Sequence, residues 1–351
     1  MLDPNLKVAD LSDLTDAFPL DVSETISPFL TKTEPWETSL WRESDLLRYP
    51  SVVQNVHGPD PDHRYYLYYA HHDIPSGIGC AVAESITGPY IKIADLAKDR
   101  SDSQVLKAQP HGLCPDNQVE IDRAIEQTQE NHQALKDYNH LSSPCVLWNP
   151  SAECWHLYFH SYRYLWPTGG GHQQTYLATC RDLSTHQWDI LENPDGTWKI
   201  VLPVTAEKWM NSGSSYHNLC VLPNGRFLAT LNGTGGEYMG GTWSQNYHGL
   251  GFATSRDGIH WDYFPENPLF ESDIRGMTSG MVGYLGDDEY LVVWTEEKKV
   301  TYGTTRDFKS LTKDSRGPAT WRGALICPWR EEDRLYLFAH QSIQIMNLPI
   351  G

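Results

Sequence analysis

The feature that most constrains this chain is a sentence written five times. The stretch from Tyr65 to Tyr90, YYLYYAHHDIPSGIGCAVAESITGPY, recurs in weaker form as WHLYFHSYRYLWPTGGGHQQTYLATCRDLSTHQWDI from Trp155 and as GRFLATLNGTGG with HGLGFATSRDGIHWDYF. It returns again as DEYLVVWTEEKKVTYGTTRDF and as DRLYLFAHQSIQIMNLP. In each copy a short strand opens the unit (YPSVV, SPCVLW, HNLCVL, GMVGYL, GALICP), a polar turn follows, and an aromatic-rich second strand ends in a small polar cluster. A third strand closes on an A-T-S/T-R-D type ending, and the first four copies add a fourth with Trp or Tyr in it.

Period-two alternation, β-branched and aromatic enrichment, and Gly/Pro/Asp turns define strands. Four antiparallel strands repeated around a circle make the blade of a β-propeller, so the expected fold is all-β, a single five-bladed propeller over residues 1–351. Propellers stay one domain at this length. The fifth copy lacks a fourth strand, and the N-terminal LKVADL is expected to supply it, pairing the chain's two ends so that no sheet edge stays open.

Charge narrows the partners. A formal net charge of −18 weighs against nucleic acid or an anionic membrane surface, which require a basic face. The start, MLDPNLKVADLSDL, has neither the basic beginning nor the apolar centre of a signal peptide, and no apolar run is long enough to span a bilayer, so a cytoplasmic location is expected. The chain has seven Cys and no CxxC pair. Cys80, Cys145, Cys180, Cys220 and Cys327 fall in expected strands, with Cys114 and Cys154 outside them or at a strand start, which reads as buried free thiols.

Two stretches depart from the repeat. Residues 1–48 form a closing segment and loop that carries Trp36 and Trp41 among acidic residues. Residues 95–139 are an insertion between the first two blades, and QVEIDRAIEQTQENHQALKDY within it has helix formers throughout, a sparse apolar stripe of Ile121, Ile125 and Leu135, and Asp116 or Asn117 as cap. The links SYRYLWPTGGGHQQ and NGTGGEYMGGTWSQNYHG read as long, Gly-rich loops bordering a cleft.

Topology then selects candidate site residues. The first strand of a blade runs outward from one face of the ring and the second returns to it, so first-strand starts and second-strand ends converge on one mouth. The starts supply Arg48, Tyr49, His140, Tyr216, His217, Thr278, Trp321 and Arg322; the ends supply His71, His72, Asp73, His160, Arg163, Asn232, Glu296, Glu297, His340 and Gln341. Arg275 stands near the start of the fourth copy. A mouth dense in imidazole, guanidinium, carboxylate and aromatic groups suits a sugar, whose hydroxyls need paired donors and acceptors and whose apolar faces need rings.

At these residues the chain resembles the five-bladed propeller glycosidase superfamily, which holds glycoside hydrolase families 43, 32, 68, 117 and 130. YYLYYAHHD with AVAESITGPY is similar to the tyrosine-rich second strand and A-x-S-x-x-G-P-W/Y run of that group, and HLSSPCVLW with WHLYFHSY to the S-P-D opening and M-Y-F-H strand of its relatives. The resemblance runs from Tyr49 to His340 and implies an exo-acting glycoside hydrolase on an oligosaccharide. It also implies an Asp at the opening of each of the first two blades, where this chain has Tyr49 and Ser51, then Ser143 and Cys145.

Without those two Asp residues, the carboxylates left are Asp73, Glu296 and Glu297. In the hydrolytic reading Glu296 donates the proton and Asp73, or His72 relayed by it, activates water, with His140 as a further catalytic candidate. His71, His160, Arg163, Tyr216, His217, Asn232, Arg275, Trp321, Arg322 and His340 hold substrate. A second reading is a polysaccharide lyase, in which His or Tyr removes the proton beside a uronate carboxylate and Arg neutralises the enolate. A third is a carbohydrate-binding propeller without activity. No cofactor is expected. A structural axial cation is the one metal idea the mouth suggests, although adjacent residues in HHD point to opposite faces of a strand and no zinc-type spacing exists.

Overall fold

The computed structural model describes residues 1–13, 24–26, 30–38, 47–71, 76–107, 141–165, 170–236, 247–272, 278–296, 299–314, 323–339 and 344–349. Nearly all of them are strand or turn. Two short strands open the chain, β1 (Ala9–Asp10) and β2 (Glu24–Ile26). The first repeat is β3 (Arg48–Gln54), β4 (Tyr65–Ala70) and β5 (Ile78–Ala83), with β6 (Ile91–Lys92) and, after the short helix α1 (Ile93–Leu96), β7 (Gln104–Leu106) both antiparallel along β5. The second is β8 (Leu141–Asn149), β9 (Cys154–Leu165) and β10 (Gly170–Cys180), flanked by β11 (Asp189–Ile190) and β12 (Ile200–Leu202). The third holds β13 (Gly213–Ser214), β14 (Asn218–Val221), β15 (Phe227–Gly235), β16 (Tyr247–Ser255), β17 (Trp261–Tyr263) and β18 (Phe270–Ser272). A parallel contact of Gln173 with Gly213 joins it to the second in one sheet. The fourth is β19 (Ser279–Gly286), β20 (Glu289–Glu296), β21 (Lys299–Thr305) and β22 (Thr312–Lys313). The fifth is β23 (Ile326–Glu331), β24 (Arg334–Ala339) and β25 (Gln344–Pro349).

The reason the second strands read as unbroken apolar runs is that both faces are packed. Along β4, Tyr66, Tyr68 and Ala70 join a core with Val146, Leu157 and Phe159 of the second repeat, while Tyr65, Leu67 and Tyr69 join one with Trp329, Tyr336 and Phe338 of the fifth. Along β20, Leu291 and Val293 pack toward the fifth repeat and Tyr290, Val292 and Trp294 toward the third. A further core joins the second repeat to the third through Leu147, Leu177, Leu219 and Leu231. Period-two alternation thus divides each strand between two neighbours, and each fully buried large side chain contributes about 1.5–3 kcal/mol. The first strands touch in the same order: β3 meets β8, β8 meets β14, β14 meets β19, β19 meets β23, and β23 meets β3.

Two expectations change, and a third is not reached by the described residues. LKVADL does not complete the last repeat: Ala9 and Asp10 pair in parallel with Gly283 and Tyr284 of β19, and β2 instead pairs antiparallel with β25. Gly283 permits this, because a Cβ there would lie 2.5 Å from Leu11 Cδ1. The link SYRYLWPTGGGHQQ is mostly strand, since β9 and β10 stay paired out to Leu165 and Gly170. The insertion begins with the end of α1 and reaches β7 at Gln104–Leu106; the expected helix lies outside the described residues. Among the described residues, no helix is long and apolar enough to cross a membrane.

Candidate functional site

The same backbone device opens the first three repeats. Arg48 faces Ala70 while Ser51 faces Tyr68; Ser142 faces His160 while Cys145 faces Tyr158; Ser214 faces Gly233 while Asn218 faces Thr230. Each first strand therefore holds one residue more than its partner. Inside each bulge one non-glycine residue is left-handed: Tyr49 at φ 58°, Ser143 at 53° and Tyr216 at 57°. Such residues cost about 1–3 kcal/mol each and concentrate at functional sites, where a bulge re-aims a side chain. Here the bulges turn toward the centre of the ring of first strands.

At that centre lies a cavity of about 40 Å³, lined by residues of β3, β8, β14 and β23 and by Lys7 from the N-terminal segment. Tyr49, Ser51, Ser143, Cys145 and His217 face it. The Tyr49 and Tyr216 rings lie 5.7 Å apart, and Tyr216 packs on His160 at 4.4 Å. Burial, then the neighbouring Tyr216, raises the Tyr49 hydroxyl well above the usual phenol range; it hydrogen-bonds Tyr216 and Arg48.

The candidate residues separate by what they touch. His217 lines the cavity, yet both ring nitrogens are used: Nδ1 accepts from the Asn232 amide at 3.0 Å, so Nε2 carries the proton and donates to Ser214 Oγ at 2.8 Å. Burial pushes its pKa down to about 3, so it stands neutral as a brace. Asn232 is a second brace, donating from Nδ2 to the Tyr216 carbonyl at 2.5 Å and accepting from Ser279 Oγ at 2.7 Å. His71 is buried and donates from Nε2 to the Trp36 carbonyl at 2.7 Å, away from the cavity lining. Arg163 continues β9 opposite His172.

Glu296, the expected proton donor, is engaged by neighbouring side chains of its own sheet. Its carboxylate turns outward across β21, accepting from Thr301 Oγ1 at 3.3 Å and pairing with Lys313 of the outermost strand at 2.6 Å. His72, Asp73, His140, Arg275, Glu297, Trp321, Arg322 and His340 lie outside the described residues. No group of three or more His, Cys, Asp or Glu able to hold a metal occurs among the described residues, and a cation in the axial cavity would face the Lys7 ammonium.

Sequence reasoning did not find Lys7 and gave Trp36 no partner, because the contacts of both are long-range. Tyr49 and Ser143 carried a signal, the X-Pro pair that recurs at the same strand position as Tyr49-Pro50 and Ser143-Pro144.

No protein-family model matches this sequence, and no curated protein matches it either. Solved structures do. A glycoside hydrolase superposes with a TM-score of 0.56 at 12% identity, covering 95% of this chain and 93% of its own. A structure from the family 130 mannoside phosphorylases, a family containing glycoside hydrolases that target β-1,2-mannosidic linkages in Candida mannan, gives 0.53 at 11%, covering 94% and 92%. A family 117 glycoside hydrolase of the marine bacterium Zobellia galactanivorans gives 0.51 at 12%, covering 85% and 75%. The fold is therefore that of the propeller glycosidases, the group the sequence resembles.

Proposed function

We propose that the protein is a carbohydrate-active enzyme of the glycoside hydrolase type, which takes the end of an oligosaccharide at the mouth of the axial cavity of a five-bladed propeller. Five inter-repeat cores and the closed order of first-strand contacts support the five-blade count. The observation that carries the function is the Tyr49–Tyr216–His160 cluster, whose two tyrosines are the left-handed bulge residues and whose Tyr49 lines the cavity. It offers rings for an apolar sugar face and hydroxyl and imidazole groups for its polar edge.

Hydrolysis requires a proton donor to the leaving oxygen and a base for water. With Glu296 committed to Lys313, the proposal assigns the carboxylate role to Asp73, assisted by His72 and His140, and leaves Arg163, Arg275, Trp321, Arg322 and His340 to hold substrate around Tyr216 and His160. One observation favours a second reading: no carboxylate lines the cavity among the described residues, whereas Tyr49 lines it with Tyr216 and Arg48 as its neighbours and His160 against Tyr216. In β-elimination a Tyr or His takes the proton beside a uronate carboxylate, the electron pair moves toward the ring double bond, and the glycosidic oxygen leaves with a proton.

Neutral and uronate-containing oligosaccharides, followed by product mass and ultraviolet absorbance, test both. Saturated products heavier by one water support hydrolysis; a lighter, ultraviolet-absorbing product moves the assignment to elimination. Tyr216→Phe is expected to weaken turnover in either case. Binding without turnover across a broad panel would leave a carbohydrate-binding propeller, and neither binding nor turnover would sink the saccharide reading.

A further inference from the structure

Lys7 presents an electrostatic problem that the described residues do not solve. Its side chain is among the largest that are fully buried, with 1% of the residue exposed. Nζ donates to the Val52 carbonyl and to Cys327 Sγ at 3.2 Å, and no carboxylate pairs with it among the described residues. A buried ammonium that lacks a counter-charge costs several kcal/mol, because neither a carbonyl nor a neutral thiol returns what water supplied. The other buried lysine among the described residues, Lys92, shows the ordinary solution, an ion pair with Glu37 at 2.6 Å.

Lys7 also lines the axial cavity. So does Ser143, whose Oγ is buried without a hydrogen-bond partner. A volume of about 40 Å³ exceeds the roughly 10–15 Å³ that one water requires. Charge and a spare hydroxyl therefore meet at a space of the right size. In a protein of net charge −18, no general excess of positive surface explains an anion drawn there.

We propose that the axial cavity is a binding site for a small anionic group, a halide or a carboxylate, with the Lys7 ammonium as its charge partner and Ser143 Oγ as a hydrogen-bond donor. Two sources share that chemistry: a free halide, and the carboxylate of an acidic saccharide entering past Tyr49 and Tyr216. The second source rests on the saccharide reading above. The first does not, so the two fail separately.

The test uses the full chain. Crystals soaked in sodium bromide should show an anomalous peak in contact with Lys7 Nζ, and thermal unfolding should rise in sodium chloride or sodium glucuronate relative to equal ionic strength of a salt whose anion is too large for the cavity. At a ligand concentration 100 times Kd the folding constant rises about 100-fold. Lys7→Met should abolish the effect and Ser143→Ala weaken it. A shift with glucuronate alone assigns the cavity to substrate; a shift with chloride alone, or with both, assigns a halide site. If Lys7→Met fails to fold, the bromide peak and Ser143→Ala decide. No peak and no anion-specific shift in the wild-type protein would overturn the proposal, as would a thiolate absorbance lost in Cys327→Ser, which would give the counter-charge to sulfur.

Discussion

Lys92→Met is the most informative single substitution for the scaffold of the mouth. Lys92 Nζ and the Glu37 carboxylate form an ion pair at 2.6 Å, with side chains 5% and 0% exposed. Lys92 also donates to the Thr31 carbonyl and to Thr33 Oγ1, both at 2.8 Å, and Glu37 accepts from Tyr69 Oη at 2.9 Å and from the Thr33 and Glu34 amides. This knot fastens residues 31–38 onto the first repeat, and with them Trp36, whose carbonyl holds His71. Removing one partner strands the other charge in a dry site, which costs about 3–5 kcal/mol. Denaturant unfolding of the wild type, Lys92→Met, Glu37→Gln and the double variant measures it. The double variant should recover at least half of the loss, because Gln keeps the shape and leaves no charge, with a coupling of about 2 kcal/mol or more. A single-variant cost below about 1 kcal/mol, or two costs that simply add, would refute the reasoning.

Stability should fall on acidification. Burial pushes His217 to a pKa of about 3 and His156 to about 4, so both stay neutral in the folded protein at pH 5 while unfolded imidazoles near pH 6.5 take up protons. The unfolded state then binds more protons, and stability drops below pH 6.5 by about 1.4 kcal/mol per pH unit for each group; His217→Asn should remove one such slope between pH 4 and 6, and an unchanged slope there would contradict the assignment. Glu296→Gln breaks a half-buried pair with Lys313 at the edge of its sheet and is expected to change stability by no more than about 1 kcal/mol and to keep turnover on any substrate found; loss of turnover at normal stability would return Glu296 to the mouth. Gly79→Ala would put a Cβ 2.5 Å from the Tyr69 ring and 2.8 Å from Trp36, so a loss of about 1–3 kcal/mol is expected, with a change in tryptophan fluorescence as Trp36 shifts; a neutral variant would show that the contact yields freely.

Much of the strand layout was legible in the sequence, because it is local chemistry repeated. YYLYYA, YLVVW and RLYLFA alternate their side chains between two buried faces, and turn residues end each run, so period two and punctuation place β4, β20 and β24 without reference to the rest of the chain. The convergence of Tyr49, Tyr216 and His160 also followed from strand direction. Nothing local marked Lys7 as the residue at the axis, since its partners Val52 and Cys327 are 45 and 320 positions away. Nor could it show that Glu296 turns to Lys313, that β2 rather than LKVADL borders β25, or that His217 is locked by a backbone amide. Pattern reports which residues can be buried and which face of a strand they share. Which buried charge meets which partner, and whether a polar side chain has hydrogen-bonding capacity left for a ligand, is settled only when distant segments pack, because desolvation and pairing depend on neighbours that the chain brings from elsewhere.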